Sequence, residues 1–498
     1  MLGMFKRRSR WAPVLLVVAL AFMPLFWLLA SHPAQPYDEA RTGLNGLNVL
    51  RTHDWLVLRD AALKPDLWNC KPPLWPWLLA VSFKVVGATE LGLRLPAALA
   101  GLATALVVYG AGRRWLGTWE SGVLAALVLL TSPGFVGGHV ARSGDFDTLL
   151  TLWTTLGALS WLRYLASGQR GAAWRTGLFF FLAAFTKGIA GLLFGPGLLV
   201  ATLATGQAQR LRRPEPWLAV LGILGGMAVW YGVREAAEPG YLAAVWQYEI
   251  GGPATEQLEG HRHEWYWYVL NLMEGRFTFW LVPAVLGVAL GWWLPRGSRG
   301  WWLARFAGSV AGMFMLVLAL TQTKLGWYDA PAYPLLALLA AGGLSWTARA
   351  LAAQQGWQPG PAARLVLLLA VVALPYWAQC RTLVRVYDAR HNVPTLLFGN
   401  HIRYQAQREP ALREYIMGVD GRFNDTPEFY RVAAERAYGH TVTRVVPWKA
   451  GETARPGQYV VVCGAHMRRH WRRAFRTSVM LQSDSCMTLF LEAYRPRP

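Results

Sequence analysis

Long apolar segments, nearly free of charged residues, recur along most of the chain. The first runs from residue 12 to residue 30, and further ones lie at about 95–112, 119–137, 146–165, 175–187, 189–207, 216–233, 277–294, 302–320, 331–348 and 364–381. Roughly 20 apolar residues are enough to cross the hydrocarbon core of a bilayer, so the pattern predicts a polytopic α-helical membrane protein with about eleven transmembrane helices. The first helix is predicted to remain uncleaved, because no small-residue cleavage site follows it.

The arginines between these segments set the predicted orientation. The apolar stretch from Leu74 to Val86 is short, follows two prolines and carries Lys84, so we interpret it as a helix in the membrane interface. Counting it as a span would place the next three arginine clusters outside. Without it, the clusters fall on the side of the N-terminus, as the positive-inside rule requires. We therefore expect a cytoplasmic N-terminus.

The outward-facing segments include two long loops and a tail. The loops cover residues 31–94 and about 234–276, both within a predicted transmembrane region of residues 1–383. The tail, residues 384–498, mixes a helical run at 427–438 with strand-like runs at 459–462 and 487–491, which predicts a small α/β domain on the outer face. Cys463 and Cys486 lie in the candidate strands. The sequence is compatible with a disulfide between them and equally with two buried free thiols.

Composition agrees with a membrane protein. Of the 498 residues, 54% are hydrophobic and 15% are charged, whereas soluble domains carry about 25% charged residues. These figures exclude a disordered chain and argue against an ordinary cytosolic enzyme. The net charge of +21 would indicate nucleic acid on a soluble protein. In membrane loops, however, cations fix topology and meet anionic headgroups, so we expect lipids and no nucleic acid as partners.

Charged and aromatic side chains collect in the outward-facing segments, where polar residues near membrane depth need an explanation. Taken alone, each motif has a structural explanation. The acids could lie in a first helical turn, a lysine could snorkel, an aspartate could be an N-cap and the aromatics could form an interfacial belt. Gathered on one face, however, they suit a lipid-linked phosphate and a sugar. The set comprises Asp38, Glu39, Arg41, Lys71, Arg142, Asp145, Asp147, Lys187, His261, Arg262, His263, Lys324 and Tyr328.

The order of these motifs resembles one superfamily. An Asp-Glu pair follows the first span, Lys-Pro-Pro-Leu precedes the interfacial helix, and Arg-x4-Asp, Thr-Lys-Gly and His-Arg follow in turn. This order is similar to that of the polyprenyl-phosphate-sugar-dependent membrane glycosyltransferases with the GT-C fold. The branch it looks most like is the aminoarabinose lipid A transferases, relatives of the protein O-mannosyltransferases. The resemblance covers about residues 10–350.

The resemblance implies roles for individual residues. Asp38 falls on the family's catalytic-loop aspartate, with Glu39 as a companion, and Asp147 rather than Asp145 falls on the second acidic position. These three residues are expected to be catalytic. Lys71 falls on the lysine that meets the donor phosphate. The residues expected to bind substrate are Arg41, Lys71, Arg142, Lys187, Arg262 and Tyr328.

The sequence departs from the pattern of that branch in the first outer loop and in the large loop. Cys70 stands where the aminoarabinose transferases have a glutamate, and Glu249 lacks the arginine that follows it in that branch. In that branch the positions of Cys70 and His261 can share a metal ion. Cysteine and histidine are both zinc ligands, and His263 would add a third. We therefore expect no required cofactor, with a structural zinc ion on Cys70 and His261 as a hypothesis.

The implied reaction moves a sugar from polyprenyl (undecaprenyl) phosphate to a lipid A-like, protein or glycan acceptor, on the periplasmic face of a bacterial inner membrane. Lys71, with Arg142 or Arg262, would stabilise the leaving phosphate, and Asp38 would accept the acceptor's proton. The alternative is a polytopic lipid or sugar transporter or flippase. Transporters place their charges near the bilayer midplane, and the charges here lie at one interface, which favours the enzyme.

Overall fold

A computed structural model of the chain describes residues 2–251, 263–390, 397–419, 425–445 and 453–495. Up to residue 390 the described chain is almost wholly helical. Its α-helices, in chain order, are α1 Leu2–Leu25, α2 Asp38–Thr52, α3 Leu74–Val86, α4 Glu90–Leu116, α5 Trp119–Leu130, α6 Pro133–Val136, α7 Asp147–Ser167, α8 Arg170–Lys187, α9 Gly195–Ala204, α10 Pro214–Ala237, α11 Tyr241–Val245, α12 Trp267–Asn271, α13 Thr278–Trp293, α14 Arg299–Leu320, α15 Tyr333–Gln354 and α16 Pro361–Arg390.

Short helical turns of other types connect some of these helices. Three are 3₁₀ turns, at Gly188–Leu192, Ala208–Arg212 and Ala330–Ala332. Two are π-helical, at Trp246–Gly251 and Leu272–Arg276. Both π segments belong to the large loop predicted between residues 234 and 276. Irregular turns of this kind are frequent at functional sites.

Several helices are long and apolar enough to cross a membrane, as the hydropathy pattern predicted for a polytopic membrane protein. Within the described residues five qualify by length and composition, at Glu90–Leu116, Pro214–Ala237, Arg299–Leu320, Ala330–Gln354 and Ala362–Arg385. Shorter apolar helices lie at Trp11–Leu25, Leu74–Val86, Trp119–Leu130 and Thr278–Trp293. The total of about eleven spans stays a prediction, as does the interfacial position of Leu74–Val86.

The segment around Lys187 differs from two straight spans. Arg170–Leu192 and Gly195–Ala204 form a pair bent by 78°. The bend follows Gly188, whose φ of 54° favours glycine. A Cβ atom at position 191 would lie 2.3–2.6 Å from the backbone of Ala183 and Ala184. The chain can therefore fold back here only because residue 191 is a glycine. The two spans predicted at 175–187 and 189–207 are therefore one bent arrangement in the structure.

The chain divides into two compact units. The first comprises Met1–Trp27, Asp66–Trp75 and Ala97–Thr382, and the second comprises Leu28–Pro65, Pro76–Pro96 and Leu383–Pro498. Most of the predicted first outer loop thus shares a unit with the tail, whereas the sequence had assigned it to the transmembrane region. Long-range contacts hold this second unit together. At Gly43 in α2, for example, an added side chain would lie 2.9 Å from the ring of Phe429.

The tail itself is an α/β fold, as the sequence predicted from its helical and strand-like runs. It contains α17 Phe398–Arg408, β1 Glu414–Gly418, α18 Thr426–Tyr438, β2 Thr441–Val445, β3 Tyr459–Cys463, α19 Ala465–Ala474, β4 Phe475–Ser483 and β5 Cys486–Tyr494. The sheet order is β2-β1-β3-β5-β4. β1 pairs in parallel with β2 and β3, and the other two pairings are antiparallel.

The two tail cysteines are joined. Cys463 ends β3 and faces Cys486 at the start of β5, and a disulfide links them. Of the two arrangements that the sequence left open, the structure has the bridge. The side chains of Trp471, Phe475 and Leu489 fill the core beside it. The cross-link joins β3 to β5, and this core packs α19 against the sheet.

Candidate functional site

Asp147 and Lys187 form a buried ion pair in the first unit. Asp147 begins α7 and Lys187 ends α8, and a short turn at residues 168–169 joins these two packed helices. Both residues therefore lie at the same end of the pair. The Lys187 ammonium donates to both carboxylate oxygens of Asp147 at 2.7 Å. Each charge offsets the cost of burying the other.

Lys71 forms a second ion pair, with Glu249 of the large loop. The distance between the Lys71 Nζ and a Glu249 carboxylate oxygen is 2.7 Å, and both side chains are partly accessible. The Lys71 ammonium also lies 5.6 Å from the centre of the Phe146 ring. The sequence had noted Glu249 for the arginine missing after it. It gave no indication that Glu249 pairs with Lys71.

Tyr328 lies close to both lysines. The Lys187 ammonium lies 5.1 Å from the centre of its ring. Burial is the main cause that raises the pKa of Tyr328, with Glu249 and Asp147 acting in the same direction, while the charges of Lys187 and Lys71 oppose it. The structure therefore brings together four predicted residues, Lys71, Asp147, Lys187 and Tyr328, and adds Glu249 to them.

A histidine that sequence reasoning missed borders this cluster. The His139 Nδ1 lies 3.0 Å from a carboxylate oxygen of Asp145, and the His139 ring stacks on Trp327 at 3.7 Å. Burial alone would raise the pKa of Asp145, but the hydrogen bond and charge of His139, with Lys187, hold it below its usual range. Asp145 thus orients His139 with one carboxylate oxygen, and its other oxygen accepts a hydrogen bond from the backbone N–H of Phe146, the residue before α7, at 2.7 Å.

The late loop that carries Trp327 and Tyr328 is fixed by a buried network. Arg276 donates to both carboxylate oxygens of Asp329, at 2.9 and 3.3 Å. The Tyr333 hydroxyl donates to Asp329 at 2.7 Å. Arg276 also donates to the backbone carbonyl of Gly134. This network holds the late loop against the end of the large loop, and the sequence analysis did not identify any of its members.

Arg142 has structural partners in the first unit. Its guanidinium donates to the backbone carbonyls of Pro24 at 3.1 Å and Trp27 at 2.8 Å. These carbonyls end α1 and the turn after it, where helix carbonyls lack partners within the helix. Arg142 therefore anchors the end of α1. Its expected contact with a phosphate stays a prediction.

Three predicted residues of the first outer loop belong to the second unit. Asp38 is the first residue of α2 and is half-buried. Glu39 is fully buried, and its carboxylate accepts hydrogen bonds from Arg94 at 2.7 and 2.8 Å. Arg41 donates to Asp425 at 2.9 Å. Adjacent carboxylates thus have different surroundings, and the ion pair of Glu39 gives it a structural task.

Cys70 lies in an apolar pocket of the first unit, beside Tyr241 and Val245. The Tyr241 hydroxyl donates to its backbone carbonyl at 2.7 Å. Burial, with a smaller effect of Glu249, raises the pKa of the Cys70 thiol to about 12. Zinc binds the thiolate, so an ion at Cys70 would have to displace the proton of this thiol. His261 lies outside the described residues, and the zinc hypothesis stays a prediction.

The remaining predicted residues belong to the large loop and the late loop. Arg262 lies outside the described residues, as His261 does. His263 is described, and its ring stacks on Trp267 at 4.1 Å. Lys324 donates to the backbone carbonyl of Thr321 in the same loop.

Part of the chain is similar in sequence to known glycosyltransferases. Residues 70–231 match the family described as dolichyl-phosphate-mannose-protein mannosyltransferase. An undecaprenyl phosphate-alpha-4-amino-4-deoxy-L-arabinose arabinosyl transferase of Edwardsiella ictaluri is 27% identical over 61% of this chain and 54% of its own length. A transferase of the same description, numbered 1, from Pseudomonas fluorescens is 28% identical over 66% of this chain and 58% of its own.

Solved structures agree on the fold. The crystal structure of ArnT from Cupriavidus metallidurans bound to undecaprenyl phosphate matches with a TM-score of 0.72 at 19% identity, over 96% of this chain and 97% of that one. The same protein in the apo state gives 0.70. The predicted relationship is confirmed: the chain is a relative of the polyprenyl-phosphate-sugar glycosyltransferases and has their GT-C fold. It spans 54–64% of the length of the first curated relatives.

Proposed function

We propose that this protein transfers a sugar from a polyprenyl phosphate, such as undecaprenyl phosphate, to an acceptor. The observation that carries the proposal is the cluster of Lys71 and Lys187 close to Tyr328, at the ends of apolar helices and in the loops between them. Two ammonium groups suit a phosphate, and the apolar helices suit its polyprenyl chain. The names of the relatives support this donor, since they specify undecaprenyl phosphate. They do not favour the transporter alternative.

Within the cluster, Lys71 is the group that would meet the donor phosphate. Its side chain is 23% exposed, whereas Lys187 is buried against Asp147. A phosphate carries more negative charge than the carboxylate of Glu249 and would compete for the ammonium of Lys71. The hydroxyl of Tyr328 would donate a hydrogen bond to a phosphate oxygen. Once the phosphate has displaced Glu249, the ammonium of Lys71 would stabilise the charge of the leaving phosphate.

The proposed reaction is a direct displacement. An acceptor oxygen forms a bond to the anomeric carbon while the bond from that carbon to the phosphate oxygen breaks, and the polyprenyl phosphate leaves with the electron pair. Such a transfer passes through an oxocarbenium-like state and inverts the anomeric carbon. Asp38 accepts the proton of an acceptor hydroxyl, or orients an acceptor that is itself a phosphate. Asp147 and Glu39 act as positioning residues, through Lys187 and Arg94.

We further propose that the site faces the periplasm of a bacterium, with the N-terminus in the cytoplasm and residues 384–498 outside the inner membrane. The distribution of arginines supports this orientation. The disulfide between Cys463 and Cys486 supports it as well, because disulfides persist in oxidising compartments. A C-terminal reporter that is active only after export should be active. A C-terminal reporter that is active only in the cytoplasm would contradict the orientation if it were active.

Mass spectrometry of three strains tests the function. The strains carry the wild-type gene, no gene, or Asp38→Asn, and the fractions are lipid A, exported proteins and glycans. We expect one fraction to gain a sugar in the wild-type strain alone, and that fraction identifies the acceptor class. A modification that persists in the Asp38→Asn strain would show that transfer does not require the Asp38 carboxylate. If the mass spectra of all fractions are the same in the three strains, the proposed transferase activity is refuted.

A further inference from the structure

The helix α19 carries two histidines on one of its faces. His466 and His470 are four residues apart, a spacing that brings side chains together on a helix surface. Met467 and Trp471, one position further along, are buried in the core of the tail. His466 is exposed and His470 is half-buried. The pair is therefore open to solvent, and it is separate from the residues assigned to sugar transfer.

The two imidazole rings meet through the same atom. Their Nε2 atoms are 3.2 Å apart, and the ring planes are inclined at 71°. Two histidine ligands of a tetrahedral zinc ion, each bonded at about 2.0–2.1 Å, have nitrogen atoms about 3.3 Å apart. Without an ion this contact is a hydrogen bond between the two imidazoles, and its length is close to the separation of two nitrogens that share one ion.

We propose that His466 and His470 bind one divalent transition-metal ion through their Nε2 atoms. Imidazole is a favourable ligand for Zn²⁺, Cu²⁺ and Ni²⁺, and two histidines at this spacing on a helix share one face toward a metal. Two protein ligands leave the other coordination positions to water or to a small anion. Zinc is the ion used in the test below.

The neighbouring arginines affect such a site in two ways. Arg469 and Arg473 lie close enough to His470 to act on it electrostatically. The same guanidinium groups repel a dication, so the site binds more weakly than a structural zinc site with four protein ligands. They also favour an anion on the open positions of the metal.

A bound ion would link the first and second turns of α19. This helix begins two residues after Cys463, which is cross-linked to Cys486. Metal and disulfide would therefore hold the same corner of the tail. The expected consequence is greater resistance of the tail to heat, with no direct effect on sugar transfer.

The experiment uses the full chain, purified in detergent without a polyhistidine tag and freed of metal with a chelator. Zinc is titrated calorimetrically into the wild type, His466→Ala, His470→Ala and a control, His53→Asn. His53 is an exposed histidine with a φ of 57°, a backbone conformation that asparagine tolerates.

We expect His466→Ala and His470→Ala each to bind one zinc ion fewer than the wild type and to lose the zinc-dependent rise in Tm. His53→Asn should retain both. Circular dichroism checks that the variants are folded, which the exposure of His466 favours. The proposal is overturned if either variant keeps the wild-type stoichiometry, or if zinc raises the Tm of all four proteins equally.

Discussion

Lys187 donates from one ammonium group to both carboxylate oxygens of Asp147, at 2.7 Å each. The two residues lie at the ends of α8 and α7, and both are buried. Removing one partner of a buried pair leaves a charge without compensation, whereas replacing both partners removes the problem. The stability of the folded protein therefore depends on keeping Asp147 and Lys187 both charged or both neutral.

Lys187→Met should lower the free energy of unfolding by about 3–5 kcal/mol, because Asp147 is left buried and unpaired. Lys187→Met/Asp147→Asn should recover most of this loss, since no charge remains. Thermal unfolding in detergent measures both variants. Equal stabilities of the single and double variants would show that the pair is not buried as described.

The neighbouring carboxylates Asp38 and Glu39 should respond differently to loss of charge. Glu39→Gln should destabilise the protein by about 3–5 kcal/mol, because it leaves the buried Arg94 uncompensated. Asp38→Asn should remain folded and should lower transfer by about 10²–10⁴-fold, the usual contribution of a proton acceptor. Sugar incorporation and Tm are measured for both. Wild-type transfer by a folded Asp38→Asn protein would exclude the proposed role of Asp38.

His401 should make the stability of the tail depend on pH. Its ring is fully buried, between the hydroxyls of Ser483 at 2.6 Å and Thr488 at 2.8 Å. Burial lowers its pKa from 6.5 to about 4. The unfolded chain binds a proton below pH 6.5 while the folded chain does not. The contribution of His401 to stability is therefore complete above pH 6.5 and is lost as the pH falls toward 4.

The expected loss over that range is about 3 kcal/mol, from a pKa difference of roughly 2.5. The Tm of the wild type should fall between pH 7 and pH 4.5, and His401→Gln should show a shallower fall from a lower starting value. His53→Asn, which changes an exposed histidine, serves as the control. Parallel pH profiles for the wild type and His401→Gln would contradict the assignment.

The sequence predicted those parts of the fold that depend on local composition. The span predicted at 216–233 is the helix Pro214–Ala237, and the stretch from Leu74 to Val86 is a helix with those bounds. Length and apolar character are properties of one segment, so a single sequence displays them. The bend after Gly188 was missed, because it depends on close packing of Gly191 against a neighbouring turn.

The pairing of charges could not be predicted in the same way. Motif order drew attention to Lys71, Lys187 and Asp147, but their partners depend on which distant segments meet. Lys71 and Glu249 are 178 positions apart, and Arg41 and Asp425 are 384 apart. Nothing in the local sequence distinguishes Glu39, which is bound to Arg94, from its half-buried neighbour Asp38. The same limit explains why His139 was missed.

Binding of undecaprenyl phosphate to the purified protein tests the central claim most directly. Affinity is measured by calorimetry in detergent for the wild type, for Lys71→Gln, and for Lys84→Gln as a matched control on an exposed lysine. A hydrogen bond to a charged group contributes about 1.5–3 kcal/mol, so Lys71→Gln should bind about 10- to 100-fold more weakly. Lys84→Gln should bind as the wild type does. Equal affinities of all three proteins, or no binding by the wild type, would contradict a polyprenyl phosphate donor held by Lys71.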